Sequence, residues 1–586
     1  MFQKKTLYSE LVVVGGGMAG ICCAVTAARQ GVKVCLFNDR PVLGGNASSE
    51  IRMWIRGASD HFPLFRESGI LEEIALKNAK LNPNMHYPMW DAILYDLVIS
   101  EKNITLFSNT FVCGAKYENS SIRSVTAIQT TTYTEFEVFA DFFADCSGDS
   151  VLAEFCPAQI VSGREEQDLY GENLAPPTPD RFTMGNSCLL QARETHEPVS
   201  YTPPSFARKI TEDEFKHRLN LNDKMGFIKN NYWWIELGGM RDTLKDAEEI
   251  KNELLSVVYG VWDYIKNSGK FNADYWDLDF VGYYPAKRES RRYVGPYVLT
   301  QRDIDNATSF SDEVAYGGWT MDNHAPEGFC QGIKPNIFHP VHTPYPIPLR
   351  CLYSINIQNL AFAGRNISAS HLALSSTRVM ATCALMGQAV GIAVATAKKY
   401  TCSLHGIEEY AEEIQQILRN QDCYLLNVKR TVSNTILTSK NNLSATEKEI
   451  FFNGVERALT DNETSAKFPV GKTIEFSFEK TLVKQIRLLF DSDIARTCQI
   501  SKDVKMYPQR AHVPLVYEKA IIPPRLTKAY TVEIKINGEY KLLKDEKENI
   551  SRLALLPVGE EISGIRFTGK ESYGENFIAL FSIDVL

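Results

Sequence analysis

Three glycines, two histidines and a set of arginines carry most of the chemistry that can be read from this chain. Gly15, Gly17 and Gly20 follow the apolar run Leu11–Val14 directly, with Met18 and Ala19 between the last two. That spacing suits an anion: Gly15 permits a tight turn, Gly17 lets the backbone approach a pyrophosphate, and Gly20 lets a helix pack closely on the strand, its free N–H groups pointing at the charge. A dinucleotide is the expected ligand. The next strand, Lys33–Phe37, ends in Asn38 and Asp39, where ribose hydroxyls are usually held. An amide can accept from one hydroxyl and donate to the other, so either residue could serve. His371 and His324 are the acid–base candidates, in that order, because an imidazole titrates near neutral pH. Arg288, Arg291 and Arg292, with Glu289 among them, and Arg350 could clamp a carboxylate or sugar hydroxyls through planar forked donors, or form a salt-bridged face.

The segment after Asp39 bears on which dinucleotide is bound. It reads Arg40-Pro-Val-Leu-Gly44-Gly45-Asn46-Ala-Ser48. This resembles the extension found in FAD-dependent oxidoreductases of the glutathione-reductase-like two-dinucleotide-fold superfamily. The resemblance implies that Gly44, Gly45 and Ser48 lie along the pyrophosphate and ribityl chain. A second stretch, Asn359 to Met380, contains Gly364-Arg365, Ser370-His371 and Thr377-Arg378. It resembles the carboxy-terminal flavin motif of the superfamily, a strand ending in Gly and then a helix whose N-terminus faces the flavin pyrimidine. A helix dipole there stabilises negative charge by ~0.3–1 kcal/mol at exposed sites.

A third piece, Phe142 to Asp149 with Ser147-Gly148-Asp149 at its end, matches the strand that closes such an FAD domain, and Thr110–Cys113 places Val112 where the backbone meets adenine. With the blocks Arg288–Gly295 and Gly318–His324, the chain resembles a bacterial FAD-dependent oxidoreductase family often encoded with sugar-catabolic enzymes, over residues 8 to 430. The resemblance implies FAD as cofactor and hydride transfer between a small polar substrate, a sugar, polyol or sugar acid, and flavin N5. Arg365 and Arg378 would then support the flavin. Two other readings stand beside it: redox-assisted elimination on a sugar derivative, and a flavin- and carbohydrate-binding protein without catalysis.

What is missing narrows the chemistry further. Past residue 150 no second strand–GxGxxG unit occurs, so the electron acceptor is unknown, and no CxxxxC pair follows Gly44-Gly45 as in disulfide reductases. Adjacent Cys22 and Cys23 read as packing residues. His339 and His342, flanked by Cys330 and Cys351, match no compact zinc spacing, so no metal is expected. A net charge of −8 with 44% hydrophobic residues carries no nucleic-acid footprint. Thirteen scattered cysteines suit free thiols in a reducing compartment, and no apolar stretch precedes the first strand, so a cytoplasmic location is expected. Val379 to Ala397 lacks charge and is long enough to span a membrane. Its Ala, Gly and Gln388 suit a helix packed under the cofactor domain instead.

The elements that must position these residues follow from periodicity and size. A chain of 586 residues exceeds what one core supports. The expected class is α/β: a Rossmann-like FAD-binding domain formed by residues 1–155 and 341–430, an inserted α+β substrate domain at 156–340, and a β-sandwich at 435–586. Helices are expected over 70–79, 90–100 and 246–267. Alternating segments such as Thr473–Phe478, Gln485–Phe490, Tyr530–Ile536, Gly564–Phe567 and Phe577–Phe581 predict antiparallel strands. This tail resembles a galactose-binding-like module, with Asn453-Gly454 and Phe490–Asp493 as the suggestive positions. It would brace the body, contribute to a homo-oligomer, or bind carbohydrate.

Overall fold

Four consecutive buried residues, Leu11–Val14, form strand β1. An unbroken apolar run of this kind belongs in a sheet covered on both faces. A computed structural model describes residues 3–215, 217–218, 232–329, 333–460, 465–494 and 521–586. In it β1 lies at the centre of a five-stranded parallel sheet with β2 (Val34–Phe37), β3 (Ile104–Phe107), β4 (Phe142–Asp145) and β5 (Leu360–Phe362). The order is β5-β4-β1-β2-β3. Neighbouring strands β4 and β5 therefore bring residues 145 and 362 side by side across more than two hundred residues of chain. Strands Thr110–Glu118, Ser121–Gln129 and Thr134–Phe139 form an antiparallel meander, to which Gln3–Tyr8 adds a parallel edge.

Helix α1 (Met18–Arg29) starts at the glycine turn, and helix α2 (Met380–Tyr400) packs on it. By length and composition α2 could cross a membrane, yet 89% of its most apolar window is buried. Its small residues explain the packing. A methyl group at Gly387 would lie 2.1 Å from the Ala19 carbonyl oxygen, and one at Gly391 would lie 2.7 Å from that of Cys23. Gly387→Leu is thus expected to push α2 off α1, at the upper end of the ~1–3 kcal/mol typical of overpacked cores. A lower Tm and loss of bound flavin on purification would register it.

Between β4 and β5 the chain builds small two-stranded sheets and the helix Ala247–Asn267, whose Leu254, Val258 and Trp262 pack with Phe215, Tyr232 and Trp276 in a separate core. Past residue 435, a seven-stranded antiparallel sheet is found among the described residues. The two segments expected at Thr473–Phe478 and Gln485–Phe490 belong to one strand, β6 (Thr473–Phe490). Its pairing with the strand Leu553–Ser572 shifts register near Ser477 and near Val483, where charged, exposed residues interrupt the alternation and bulges bend the strand. The other strands are β7 (Thr527–Ile536), β8 (Glu539–Glu546), β9 (Leu553–Ser572) and β10 (Phe577–Val585), with Ala466–Pro469 and Lys440–Asn441 at the margins. Asn537 and Gly538 both adopt positive φ in the β7–β8 hairpin, as a two-residue turn of that type requires.

Candidate functional site

The glycine turn leaves no room for a side chain at Gly15 or Gly20. Gly15 holds φ at +102° and a methyl there would sit 2.6 Å from the Cys146 carbonyl oxygen, while at Gly20 it would sit 1.8 Å from that of Gly15. The Gly44 N–H donates to the Gly16 carbonyl at 2.8 Å, so the second glycine pair rests on the first. Along this turn opens a cavity of about 940 Å³, near the top of the ~300–1,000 Å³ range of small-molecule sites.

Of the residues expected to hold a dinucleotide, Gly15, Gly17, Met18, Ala19, Asn38, Asp39, Arg40, Gly44, Gly45, Asn46 and Val112 line this cavity. So do Ser147, Gly148, Asp149, Gly364, Arg365 and Arg378. Gly20, Ser48, Ser370 and Thr377 stand behind the wall: Gly20 packs on Gly15, Ser48 and Thr377 are fully buried, and the Ser370 hydroxyl caps a helix at the Ala373 N–H. Asn38 spends its amide on the Gly16 N–H and on the Arg40 and Val42 carbonyls. Among the described residues the Asp39 carboxylate, 45% exposed, pairs with Arg40 at 3.9 Å. Of the two, Asp39 is the one with oxygens to offer.

Asp149 gathers the two sequence-distant halves. It accepts from Arg365 Nη2 at 2.6 Å, Lys287 Nζ at 2.8 Å and Ser290 Oγ at 2.8 Å. Burial pushes its carboxyl up, but Arg365 and Lys287 outweigh this and hold it well below the usual carboxylate range. Gly148 holds φ at +75°, a left-handed conformation that favours glycine, and a methyl there would displace the Arg365 guanidinium.

The rest of the cavity wall carries side chains suited to a substrate. Trp54, Trp233 and Trp319 line it, all half-buried, together with Arg56, Arg288, Asp322, His324 and Arg378. His324 lies between two carboxylates, its Nδ1 2.8 Å from Glu236 Oε1 and its Nε2 3.0 Å from Asp322 Oδ2. Both contacts are hydrogen bonds only when both nitrogens carry hydrogen. Arg288 Nη2 reaches Glu236 at 3.1 Å, Arg378 Nη2 reaches Asp322 Oδ2 at 3.3 Å, and Asn336 donates to Asp322 Oδ1 at 2.6 Å. The result is a row of alternating charge, Arg288–Glu236–His324–Asp322–Arg378. Burial raises both carboxyls, but Arg288 and His324 hold Glu236 below its ordinary range, and His324 and Arg378 do the same for Asp322.

Other expected catalytic residues are placed differently. His371 does not line the cavity; its ring meets Glu289 at 3.0 Å and Asn323 Oδ1 at 3.2 Å, behind the strand that carries His324. Arg350 pairs with Asp312 through two 3.0 Å bonds, the forked geometry a carboxylate accepts, and does not line the cavity. Arg291 lines the cavity but is paired with Glu154 and the Asp149 carbonyl. Arg292 is fully buried against Glu165 and the Ala369 carbonyl. Trp54, Arg56 and Glu236 were outside every motif. The Arg52-Met-Trp54-Ile-Arg56 run after the paired glycines, and a lone acid in the apolar stretch Tyr232–Leu237, were the available signals. Among the described residues no three His, Cys, Asp or Glu side chains group to hold a metal ion, and Cys330 lies outside those residues.

The family model of FAD dependent oxidoreductases matches residues 10–418. The chain belongs to this family. FAD is its cofactor, and the protein is an FAD-dependent oxidoreductase. No curated protein matches the sequence. The oxidoreductase is similar to a geranylgeranyl bacteriochlorophyll reductase-like protein from Thermoplasma acidophilum, at 12% identity and a TM-score of 0.32, over 71% of this chain and 87% of that one. It is also similar to a myxobacterial chondrochloren halogenase, at 13% identity and 0.32, over 71% and 80%. A family 32 carbohydrate-binding module from Streptococcus pneumoniae matches 26% of the oxidoreductase and 99% of itself, at 13% identity and 0.19. The glycine cradle and the cations around Asp149 fit FAD: backbone N–H groups and guanidinium donors are what a pyrophosphate needs.

Proposed function

We propose that this FAD-dependent oxidoreductase transfers a hydride between the flavin and a small polar substrate, a sugar, polyol or sugar acid. Gly15, Gly17, Gly44, Gly45 and Arg365 would hold the pyrophosphate, and Asp39 the ribose. When bound, FAD supplies two-electron chemistry at its ring N5. What the chain adds is a polar row of side chains and three tryptophans lining the same cavity, the mixture that a hydroxyl-rich molecule with apolar C–H faces calls for. The observation that carries the reading is His324: it is clamped between Glu236 and Asp322 and lines the same cavity as the glycine turn.

Hydride movement at a carbon that bears oxygen requires a proton to move at that oxygen. His324 stores it, and Asp322 Oδ2, 3.0 Å from His324 Nε2, is the atom through which it passes between ring and cavity. Arg288 pairs with Glu236 and Arg378 with Asp322, which favours the ionised form of each carboxylate. In the reducing direction the row gives that proton to the substrate oxygen, and in the oxidising direction it takes one back. The C-terminal sheet, proposed as a galactose-binding-like sandwich, braces the body; buried ion pairs at the junction support this.

Anaerobic mixing of holoenzyme with a panel of sugars, polyols and hydroxy acids tests the substrate class. At least one member should bleach the flavin absorbance. If none does, in protein whose flavin still reduces chemically, that class is wrong.

A further inference from the structure

Two histidines stand on opposite sides of the strand Met321–His324. Alternation along a strand sends Asp322 and His324 to one face and Asn323 to the other. On the cavity face are Asp322 and His324; on the hidden face Asn323 Oδ1 meets His371 Nε2 at 3.2 Å. His371 Nδ1 lies 3.0 Å from the carboxylate of Glu289, which is fully buried and also accepts from the Met184 N–H at 3.0 Å.

Two chain segments each contribute to both faces. Arg288 reaches the cavity side and pairs with Glu236, the partner of His324, while its neighbour Glu289 turns to His371. The helix His371–Thr377 opens with His371 on Asn323 and delivers Arg378 to Asp322. One short helix thus grips the strand from both sides. We propose that His371 and Glu289 are a positioning pair, which fixes the strand Met321–His324 and Arg288 so that His324 stays between Glu236 and Asp322. The inference rests on the reading of His324 as the group that handles the proton.

The pair suits that task because neither member has freedom to do otherwise. Both ring nitrogens of His371 are committed, its backbone N–H donates to Glu165 Oε2 at 2.9 Å, and Arg292 Nε stands 3.9 Å from Glu289. Glu172 and Asp180 are the other acids whose charge acts on His371. Its removal would let Asn323 turn and Asp322 drift from His324, with no change to the glycine cradle.

The test uses full-length, FAD-loaded protein and histidine-selective NMR. In His371→Gln the His324 ring signals should shift. Flavin content should stay at the wild-type level. With the substrate in hand, kcat should fall more than KM rises. If His371→Gln does not fold, the double variant with Glu289→Gln is read instead, since it removes the buried charge along with its partner. A folded, flavin-loaded variant whose His324 signals match wild type overturns the inference. Failure of the underlying reading looks different: His324→Gln would leave flavin reduction by substrate unchanged, whatever His371 does to the His324 spectrum.

Discussion

Exchanging His324 for glutamine is expected to slow reduction of the bound flavin by substrate about 100-fold or more, the usual loss when a positioned acid or base is removed. The physical basis is the row in which it sits. Glu236 and Asp322 approach opposite edges of the ring at 2.8 and 3.0 Å, so the imidazole is placed to take up a proton and pass it on. Alanine would leave two carboxylates facing a hole. Glutamine keeps a donor for one of them, and Arg288 and Arg378 each still neutralise one, which protects the fold while the store is lost. Because their cationic neighbours hold both carboxyls low, Glu236 and Asp322 remain ionised across the neutral range. Anaerobic stopped-flow reads the effect, and an unchanged rate would remove His324 from the mechanism.

The elements behind this site were legible because their signals are local. Leu11–Val14 followed by Gly15 is a strand and turn wherever it folds, and the helices expected over 70–79, 90–100 and 246–267 appear as Ile70–Leu81, Tyr87–Ile99 and Ala247–Asn267. Their apolar spacing is complete within each segment. Choosing between the histidines was not a local question. His371 stands next to a Gly-Arg turn that lines the cavity, yet its ring faces Glu289, which is eighty-two positions away. Glu236 shows the same limit: only closure of the inserted segment brings it to His324. Sequence spacing finds the backbone cradle, whereas side-chain partners belong to the fold.

Glu456→Ala should be the most destabilising change in the C-terminal half, at about 3–5 kcal/mol, the cost of leaving a buried ion without its partner. Glu456 looks ordinary in sequence, between Val455 and Arg457. In the fold its carboxylate takes Arg487 on β6 in two bonds of 2.7 and 2.9 Å, Arg430 at 2.8 Å, and the Ser582 hydroxyl of β10 at 2.6 Å. Arg487 continues to the carbonyls of Arg419 and Asn420, at the end of helix α3 (Ala411–Asn420). Without Glu456, two fully buried guanidinium groups face each other where the sheet joins the body. The first thermal transition should drop, with the C-terminal sheet becoming protease-sensitive before flavin is released.

Its titration gives a second signature. Burial raises the carboxyl, but Arg487, Arg430 and Arg419 outweigh it and bring the value down to about 2. The unfolded chain takes up that proton near ~4.3. A depressed folded value means the contribution is whole above that pH and is lost as acid carries the protein down toward 2. Wild type should therefore lose the junction between about pH 4 and 2, while Glu456→Gln, lacking the carboxylate, should show a flatter acid limb from a lower starting stability. Equal slopes for the two proteins would mean that the junction is held by its apolar contacts and not by this charge.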